Sequence, residues 1–551
     1  MLEDENRLWY RDAIFYEIPV RSYYDSNRDG IGDFPGLTQK LDYIKSIGID
    51  CIWLLPFYKS PLKDDGYDIS DFYSILPEYG TIEDFDLFLD EAHRRKIRVI
   101  ADLVLNHVSD QHPWFIEARK SRNNPKRDWF VWSDTMDRYK DARIIFIDTE
   151  RSNWTWDQNT GQYYWHRFYS HQPDLNYDNP EVREEIKKAI RFWLSRGLDG
   201  FRCDAVPYLF EREGTNCENL PETHAFFKEI RRMVDDEFPG TVLLAEANQW
   251  PTEAKKYFGN EDEFHMAFNF PLMPRIFIAL AKEDSYPIQN IIKQTVPVPP
   301  TCDWGVFLRN HDELTLEMVT DEERDIMFSE YAKLPKMRLN LGIRRRLSPL
   351  VDADRYILEL LHGLIMALPG SPIFYYGDEI NMGDNIFLGD RNGVRTPMQW
   401  SFDRNAGFSA ADPEMLYAPV ITNANYHYEF LNVEAQSRLP SSFLNWFRKA
   451  VSVRKKNSLV LGRGDIEFLE TGNRKVLAFL RSYDSEKMLC IFNLSRDPTN
   501  AQLDLRKYAG WTPEESFSRV PFPKIGELPY FFTMPRHSFF WMNLSPPGDG
   551  N

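Results

Sequence analysis

Short apolar runs rich in β-branched residues alternate, through most of the chain, with longer segments whose apolar residues recur at helical spacing. The first pattern predicts buried strands and the second predicts amphipathic helices. One helix is predicted after Asp178 and Asn179, with Pro180 in its first turn and Gly197 beyond its end. Strands separated by helical crossovers predict an α/β fold, a parallel (β/α)8 TIM barrel. The eight predicted strands are residues 13–19, 51–55, 99–103, 200–204, 242–246, 265–270, 306–310 and 373–376.

Two segments interrupt this alternation, and a third follows it. The stretch between the third and fourth strands is too long for a crossover and is rich in Trp, Tyr, Asp and Asn, which indicates a subdomain inserted over the barrel mouth. A later stretch, 315–354, is charged and is expected to be a helical excursion. Near the C-terminus alternating strands predict a separate all-β sandwich domain. The predicted organisation is barrel 1–107, inserted subdomain 108–177, barrel 178–461 and C-terminal β-sandwich 462–551.

Polar residues follow several predicted strands at the point where each strand ends. Asn106 and His107 follow the third strand, Asp204 ends the fourth and Glu246 ends the fifth. In a parallel barrel these ends share one rim, and the chemistry of such barrels is carried there. Arg202 and Asp204 are two positions apart on a strand, so they should project together. The arginine is expected to lower the pKa of the aspartate, and an ionised aspartate is a good nucleophile; an isolated Arg–Asp pair is more often structural.

Composition narrows the class of ligand. The 551 residues include 66 basic and 84 acidic side chains, a net charge of −18, which argues against nucleic acid or an anionic membrane as partner. Aromatic residues make up 15% of the chain, which suits stacking on sugars and suits a large core equally well. The five scattered cysteines indicate free thiols in a reducing compartment, and the acidic stretch 1–6 lacks a signal sequence. A soluble cytoplasmic protein is expected.

The segment 25–33 has the alternating oxygen ligands and turn glycines of a calcium loop, without the final glutamate of an EF-hand. The pattern predicts a bound calcium ion, or magnesium in its place. The alternative is an Asp/Asn turn that holds no ion. The predicted ligands are the side chains of Asp25, Asn27, Asp29 and Asp33 and the carbonyl of Ile31.

The motifs at residues 102–107, 200–206, 246 and 310–312 match, in order, the sequence regions of the α-amylase superfamily, glycoside hydrolase family 13. The segment 172–176 resembles a further region typical of its oligo-1,6-glucosidase-like branch. The run 211–224, with 377–384 and 390–400, resembles the trehalose synthases, which isomerise maltose to trehalose by intramolecular glucosyl transfer with minor hydrolysis. The alternative is an α-glucosidase, an oligo-1,6-glucosidase or a sucrose isomerase with the same catalytic residues. A non-catalytic barrel is disfavoured because all three catalytic acids are present.

The resemblance implies a retaining double displacement on a disaccharide, without an organic cofactor. Asp204 would be the nucleophile, Glu246 the acid/base and Asp312 the stabiliser of the transition state. Asp68 and Arg395 would hold the far hydroxyls of the glucosyl unit as an ion pair. Glu313 and Glu317 would share a helix face and reach the second glucose, or would simply be a solvated face. The substrate-binding residues implied are Asp68, His107, Gln172, Arg202, His311, Arg395, Glu313 and Glu317.

The resemblance also implies a second metal site, and isomerisation itself would require a closed pocket. Side chains of Asn106, Asp174 and Glu211, with carbonyls of Tyr208 and Leu209, would bind the ion near the nucleophile. The pocket must exclude water while free glucose turns, and residues 129–164 of the insertion and the 211–224 loop would be the lids. A homodimer is the assembly that the resemblance suggests.

Overall fold

The computed structural model describes residues 7–547 of the chain. Eight parallel strands close into a barrel in which each strand pairs with the strands before and after it in the chain. Almost every strand residue is buried, because barrel side chains fill the interior on one face and pack against helices on the other. The strands are β1 (Phe15–Ile18), β2 (Cys51–Leu54), β3 (Arg98–Val104), β4 (Gly200–Asp204), β5 (Val242–Ala245), β6 (Met266–Phe268), β7 (Asp303–Phe307) and β8 (Ser371–Tyr375).

The predicted barrel is therefore confirmed, with one strand displaced. The seventh strand begins at Asp303 and ends at Phe307, whereas 306–310 was predicted. Its pairing sets these limits, because Gly305 lies opposite Ser371 and Phe307 opposite Ile373. The polar residues after Phe307 consequently lie in a loop on the rim of the barrel.

Amphipathic helices surround the barrel. The helix Pro180–Leu194 begins as predicted, with the Asn179 side chain accepting the N–H of Glu181. The helix Ile82–Arg94 begins with a reciprocal capping box between Thr81 and Asp84. Other helices of at least ten residues are Pro221–Glu237, Leu272–Lys282, Tyr286–Thr295, Asp321–Tyr331, Arg355–Ala367 and Phe443–Lys456. Shorter ones are Val20–Tyr23, Phe34–Gln39, Leu41–Ser46, Pro113–Ala118, Pro251–Ala254, Leu347–Leu350, Val433–Arg438 and Ser458–Gly462.

The segment between β3 and β4 has a small core of its own. It contains a three-stranded antiparallel sheet of Trp132–Ser133, Gln162–Trp165 and Trp154–Asp157. Trp154 and Trp165 pack in a separate apolar cluster that also includes Cys217, which lies in the loop after β4. The insertion is thus packed against the carboxyl end of the barrel near β4.

The excursion 315–354 is not mainly helical, contrary to the prediction. It contains the helix Asp321–Tyr331, which Thr320 caps, but its flanks form a small antiparallel sheet. The helical prediction failed because charged residues carry a weak periodic signal, and the flanking strands are short pairs stabilised by tertiary contacts. The strands of this sheet are Leu314–Thr315, Gly342–Ile343 and Arg338–Leu339, and the hairpin Tyr58–Lys59 with Asp71–Ile75 lies elsewhere on the same rim.

The C-terminal domain is all-β, as predicted. The alternation along Val476–Tyr483 sends Leu477 and Phe479 into the barrel's core cluster and Ala478 and Leu480 into a second cluster within the domain. The five-stranded antiparallel sheet contains, in spatial order, Asp465–Phe468, Val476–Tyr483, Glu486–Asn493, Phe539–Ser545 and Thr512–Glu515, and a two-stranded sheet pairs Thr499–Leu503 with Tyr530–Met534.

All five cysteines are buried free thiols, as predicted from their scatter. Between residues 7 and 547, no helix is both long enough and apolar enough to cross a membrane. The acidic stretch 1–6 and the last four residues of the predicted C-terminal domain lie outside the described residues.

Candidate active site

One buried arginine joins the two carboxyl groups predicted to carry the chemistry. Arg202 Nη1 lies 2.5 Å from Asp204 Oδ1, and its Nη2 lies 2.6 Å from Glu246 Oε1. The two acids are neighbours because β4 and β5 run in parallel register, with Cys203 opposite Ala245. Arg202 and Asp204 thus project together, as their spacing predicted. Arg202 was also predicted to bind substrate, but it is 1% exposed and its donors face carboxylates, so it orients the acids from below.

The backbone beside the nucleophile position is aimed at Glu246. Ala205 has the left-handed conformation (φ +51°), unusual for a residue with a side chain. In this conformation its N–H donates to Glu246 Oε2 at 2.9 Å. Glu246 is therefore held at both oxygens, by Arg202 and by Ala205.

Arg202 acts on the pKa of Asp204 in the predicted direction and lowers it, but the net shift of this pKa is upward. Burial raises the pKa of Asp204 to about 6, because the loss of water around the carboxylate outweighs the attraction of Arg202. Burial also raises the pKa of Glu246 to about 7, and the nearby charges of Asp204 and Asp312 add to this. Between these two values Asp204 is ionised and Glu246 is protonated. This is the division that a nucleophile and a general acid require.

Asp312 lies between three cationic groups. Its Oδ1 accepts 2.9 Å bonds from Arg391 and Arg395, and its Oδ2 lies 3.1 Å from His311 Nε2. Burial opposes ionisation of Asp312, but the charges of His311 and Arg391 hold its pKa well below the ordinary value. Burial likewise lowers the pKa of His311, but Asp312 and Glu17 raise it to about 9. Asp312 is thus a carboxylate and His311 a cation at neutral pH.

The predicted ion pair between Asp68 and Arg395 does not form. Asp68 is fully buried, and its carboxylate accepts the Ser60 hydroxyl and the N–H groups of Lys63 and Asp64, each at 3.0 Å. It therefore stabilises the turn, which reverses through left-handed Asp65 and Gly66. Asp68 faces away from the pocket for this reason.

The ion pair that lines the pocket joins Asp64 and Arg391 instead. Arg395 lies behind them and pairs at 2.9 Å with Asp65 and with Asp312. Sequence reasoning missed Asp64, Arg391 and Glu17. The sequence offers three aspartates within five positions and, far along the chain, two arginines four positions apart. The sequence does not show which aspartate pairs with which arginine, because the geometry of the turn decides it.

Two further predicted residues have different positions relative to the pocket. His107 lines it, and burial lowers the pKa of His107 to about 3, so the ring is neutral. Gln172 is fully buried and donates to Asp64 Oδ2 at 2.7 Å, so it fixes Asp64 from behind.

The pocket extends from the acids to a second, polar wall. Glu313 and Glu317 both lie on this wall, but the segment between them is strand and turn, so the predicted shared helix face is absent. The lining residues beyond the acids are Asp64, Tyr67, His107, Ile145, Phe146, Phe168, Ala205, Tyr208, Asn248, Phe270, Asn310, Glu313, Thr315, Glu317, Asn340, Leu341 and Arg391.

A polar bridge joins the insertion to this wall. Glu317 receives Arg143 Nη1 at 2.8 Å and Asn248 Nδ2 at 2.7 Å. Arg143 belongs to the insertion, Asn248 follows β5 and Glu317 follows β7. Arg143 also bonds Glu218 at 2.8 Å and the Tyr208 hydroxyl at 3.1 Å, in the loop after β4. Three rim loops and the insertion are thereby tied together.

The predicted metal ligands form two distinct arrangements. Near β4, three buried oxygens have no hydrogen-bond partner: Asn106 Oδ1, Asp174 Oδ2 and Glu211 Oε1. Burial raises the pKa of Asp174 to about 8 and that of Glu211 well above its ordinary value, to which the nearby Asp174 charge adds. Within residues 7–547 there is no group of three or more His, Cys, Asp or Glu with metal-site geometry; the third side chain here is an amide.

The loop 25–33 has no such unpartnered oxygen. The side chains of Asp25, Asn27 and Asp29 each accept N–H groups within the loop, and Asp33 Oδ1 accepts the N–H of Gly36 to cap a helix. These bonds are those of an Asp/Asn turn, and they neither require nor obstruct an ion. An ion held by Asp25, Asn27, Asp29, Ile31 and Asp33 stays a prediction.

Comparison with known proteins gives the same architecture. Residues 17–339 and 344–463 match the catalytic domain of α-amylases, and residues 466–541 match the C-terminal domain of maltogenic amylases. The chain is 58% identical to the trehalose synthase/amylase TreS of Mycolicibacterium smegmatis, over 98% of this chain and 93% of that protein. It is 56% identical to the trehalose synthase of Pimelobacter, over 98% and 96%. The crystal structure of the trehalulose synthase MutB from Pseudomonas mesoacidophila superimposes with a TM-score of 0.79 at 28% identity, over 98% and 99%.

Proposed function

The chain belongs to the α-amylase family and, within it, to the trehalose synthases, and from this premise we propose that it isomerises maltose to trehalose by intramolecular glucosyl transfer. The observation that carries the proposal is the pair Asp204 and Glu246, bridged by Arg202, in a pocket beside which hydrogen bonds join Arg143 and Asn248 to Glu317. The two acids carry out the glucosyl transfer. The bridge holds the insertion over the pocket, so that the second glucose is retained and water is excluded.

In the first step Asp204 attacks the anomeric carbon of the non-reducing glucose of maltose. The bond from that carbon to O4 of the second glucose breaks, and Glu246 gives its proton to the departing O4. The result is a glucosyl ester on Asp204 and free glucose in the pocket. Glu246 is then a carboxylate, which Arg202 and the Ala205 N–H stabilise.

In the second step the free glucose turns and presents its anomeric hydroxyl. Glu246 takes the proton of this hydroxyl, the oxygen attacks the anomeric carbon, and the ester bond to Asp204 breaks. Two inversions restore the α configuration of the transferred glucosyl unit, and attack by the α anomer of the free glucose makes the product α,α-1,1-linked trehalose. The carboxylate of Asp312 stabilises the positive charge that develops on the glucosyl unit in both steps, while Asp64, Arg391 and His107 hold its hydroxyls.

The fate of the glucosyl ester depends on which nucleophile reaches it. Water would release glucose, whereas retained glucose gives trehalose, so a closed pocket favours isomerisation. The polar second wall, with Glu313, Glu317 and Tyr208, offers hydrogen-bond partners to a glucose that changes orientation. An α-glucosidase with the same acids is the alternative. The bridge through Glu317 favours the isomerase because it ties the insertion over the pocket.

Incubation of the protein with maltose and excess isotopically labelled glucose tests this function. Abundant unlabelled trehalose with little free glucose is the expected result, because the acceptor never leaves. The variant Asn248→Ala removes one of the two donors to Glu317 and is expected to raise the ratio of glucose to trehalose several-fold, since one lost hydrogen bond is worth about 1 kcal/mol.

Lys96→Ala, on the opposite side of the barrel, serves as a matched surface control. Glucose as the main product of the parent would make the protein an α-glucosidase. Labelled trehalose would mean that the acceptor exchanges with solvent. An unchanged ratio in Asn248→Ala would contradict the role of the bridge.

We further propose that calcium binds Asn106, Asp174 and Glu211, with the carbonyls of Tyr208 and Leu209. The support is the set of three unpartnered, buried oxygens, because carboxylate, amide and carbonyl oxygens are calcium ligands and buried carboxylates need a counter-charge. Magnesium is less suited to a site without several waters. The ion would join the end of β3, the insertion and the loop after β4, and so would hold the floor of the pocket beside Asp204.

Removal of calcium is expected to lower Tm and activity together, and calcium should restore both. At a concentration about 100 times Kd the ion would stabilise the fold by about 2.7 kcal/mol. Differential scanning fluorimetry of the chelated protein, titrated with calcium, measures the shift. Glu211→Gln should remove the part of the shift that this site contributes, whereas Asp25→Asn, in the other predicted loop, should leave that part in place. A Tm independent of calcium in the parent protein would refute this site.

The cellular location and the oligomeric state of the protein are part of the same proposal. We infer a reducing compartment, the cytoplasm, because the five cysteines are free thiols and buried. A homodimer is expected from the resemblance alone, and sedimentation measures it.

A further inference from the structure

A buried glutamate at the end of β1 has no role in the chemistry described above. Glu17 is fully buried, and its Oε1 lies 2.5 Å from the ring nitrogen Nδ1 of His311. The same oxygen accepts the backbone N–H of His311 at 3.1 Å. Its Oε2 is buried and has no hydrogen-bond partner. Burial of a carboxylate costs free energy unless another group compensates its charge, and His311 is the group that contacts it here.

His311 lies between two carboxylates. Glu17 faces Nδ1, while Asp312 Oδ2 lies 3.1 Å and the Tyr67 hydroxyl 2.7 Å from Nε2. A doubly protonated ring attracts both carboxylates by its positive charge, whereas a neutral ring has one N–H and no charge. The ring also stacks on Tyr67, with 5.3 Å between centroids and 7° between planes. This stacking restricts rotation of the ring toward other hydrogen-bond partners.

The two oxygens of Asp312 are held by different groups. Arg391 and Arg395 both donate to Oδ1. Oδ2 faces His311 Nε2. Since the Tyr67 hydroxyl is the hydrogen-bond partner of Nε2 at 2.7 Å, His311 holds Asp312 Oδ2 chiefly by its positive charge.

We propose that Glu17 is a positioning residue, whose negative charge keeps the His311 ring doubly protonated so that the positive charge of the ring holds Asp312 Oδ2. The inference rests on the proposed function, because it concerns how Asp312 is held for glucosyl transfer. The three side chains of Glu17, His311 and Asp312 form a row across the floor of the glucosyl site, from β1 to the loop after β7. Glu17 touches neither substrate nor the reacting atoms and acts through His311.

The charges around the ring are consistent with this assignment. Burial alone favours a neutral imidazole, and the attraction of Asp312 and Glu17 overcomes it, which raises the pKa of His311 to about 9. Replacement of Glu17 by a neutral amide removes one of these two attractions, so the pKa of His311 is expected to fall. The other titratable or charged groups near the ring are Tyr67, Asp65, Asp102 and Arg395, whose Nε donates to the His311 carbonyl at 3.0 Å.

The test is Glu17→Gln, which keeps the shape of the side chain and removes its charge. We expect kcat to fall about 10- to 100-fold with little change in KM, because a neutral ring no longer holds the Asp312 carboxylate by charge in the transition state. Activity should recover partly on acidification, as His311 regains its proton. Glu263→Gln is the matched control, since it removes a buried carboxylate 2.8 Å from another histidine, His224, away from the pocket; it should leave kcat unchanged.

NMR of the 15N-labelled imidazoles separates positioning from a structural role. In the parent protein the His311 ring should be doubly protonated at about pH 8, above the ordinary histidine pKa of about 6.5. In Glu17→Gln it should be neutral there. A neutral His311 in the parent, unchanged kcat in the variant, or lost activity with a charged ring would each overturn the proposal. The parent spectrum is informative even if the variant does not fold or if maltose is only hydrolysed.

Discussion

Asp204→Asn is expected to lower the rate of trehalose formation about 10^4-fold or more, the range found when a catalytic nucleophile is removed. The amide has nearly the same shape and can still face Arg202, but it cannot form a glucosyl ester. Rapid quenching followed by peptide mass spectrometry should find a glucosyl adduct on the peptide containing Asp204 in the parent and none in the variant. Maltose should still bind, because the residues that hold its hydroxyls are unchanged.

Asp303→Asn provides the matched control for this experiment. Asp303 is also a buried strand carboxylate, but it lies at the start of β7 and accepts the hydroxyl of Ser371, away from the pocket. Its replacement should alter Tm more than kcat. Retention of substantial isomerisation by Asp204→Asn, or an adduct on another peptide, would remove Asp204 from the role of nucleophile.

Glu246→Gln is expected to lower turnover of maltose about 10^2- to 10^4-fold, because O4 of glucose is a poor leaving group without a proton. α-Glucosyl fluoride needs no protonation, so its first step should survive and the glucosyl-enzyme should accumulate. Azide, which attacks without a general base, should then restore turnover and give the α-azide. Equal losses on maltose and on the fluoride would exclude Glu246 as the acid.

The same variant tests the pH dependence. The activity of the parent should rise as pH increases through about 6, where Asp204 ionises, and fall through about 7, where Glu246 loses its proton. The two acids share Arg202, so these values describe the pair. With α-glucosyl fluoride, Glu246→Gln should keep the acid limb and lose the alkaline limb. An alkaline limb that persists would assign it to another group.

The sequence alone was sufficient for the barrel and for the positions of the three acids. Hydrophobic periodicity identifies strands and helices, and parallel strands all end on one rim, so Asp204 and Glu246 had to meet there. The two acids lie at the ends of adjacent strands, so their separation follows directly from the pairing of those strands. The motifs also carried the family and the activity, because they occur in order along the whole barrel.

Only the tertiary structure decided which of several equivalent side chains face the pocket. The left-handed turn at Asp65 and Gly66 sends Asp64 inward and Asp68 into the turn, and sequence spacing contains no information about that reversal. The direction of the Asp204 pKa likewise depends on burial, which outweighs the neighbouring arginine that the sequence displays. Glu17 became visible only when strands distant in the chain closed the barrel. Patterns in a sequence describe neighbours along the chain, whereas turns, desolvation and closure are set by neighbours in space.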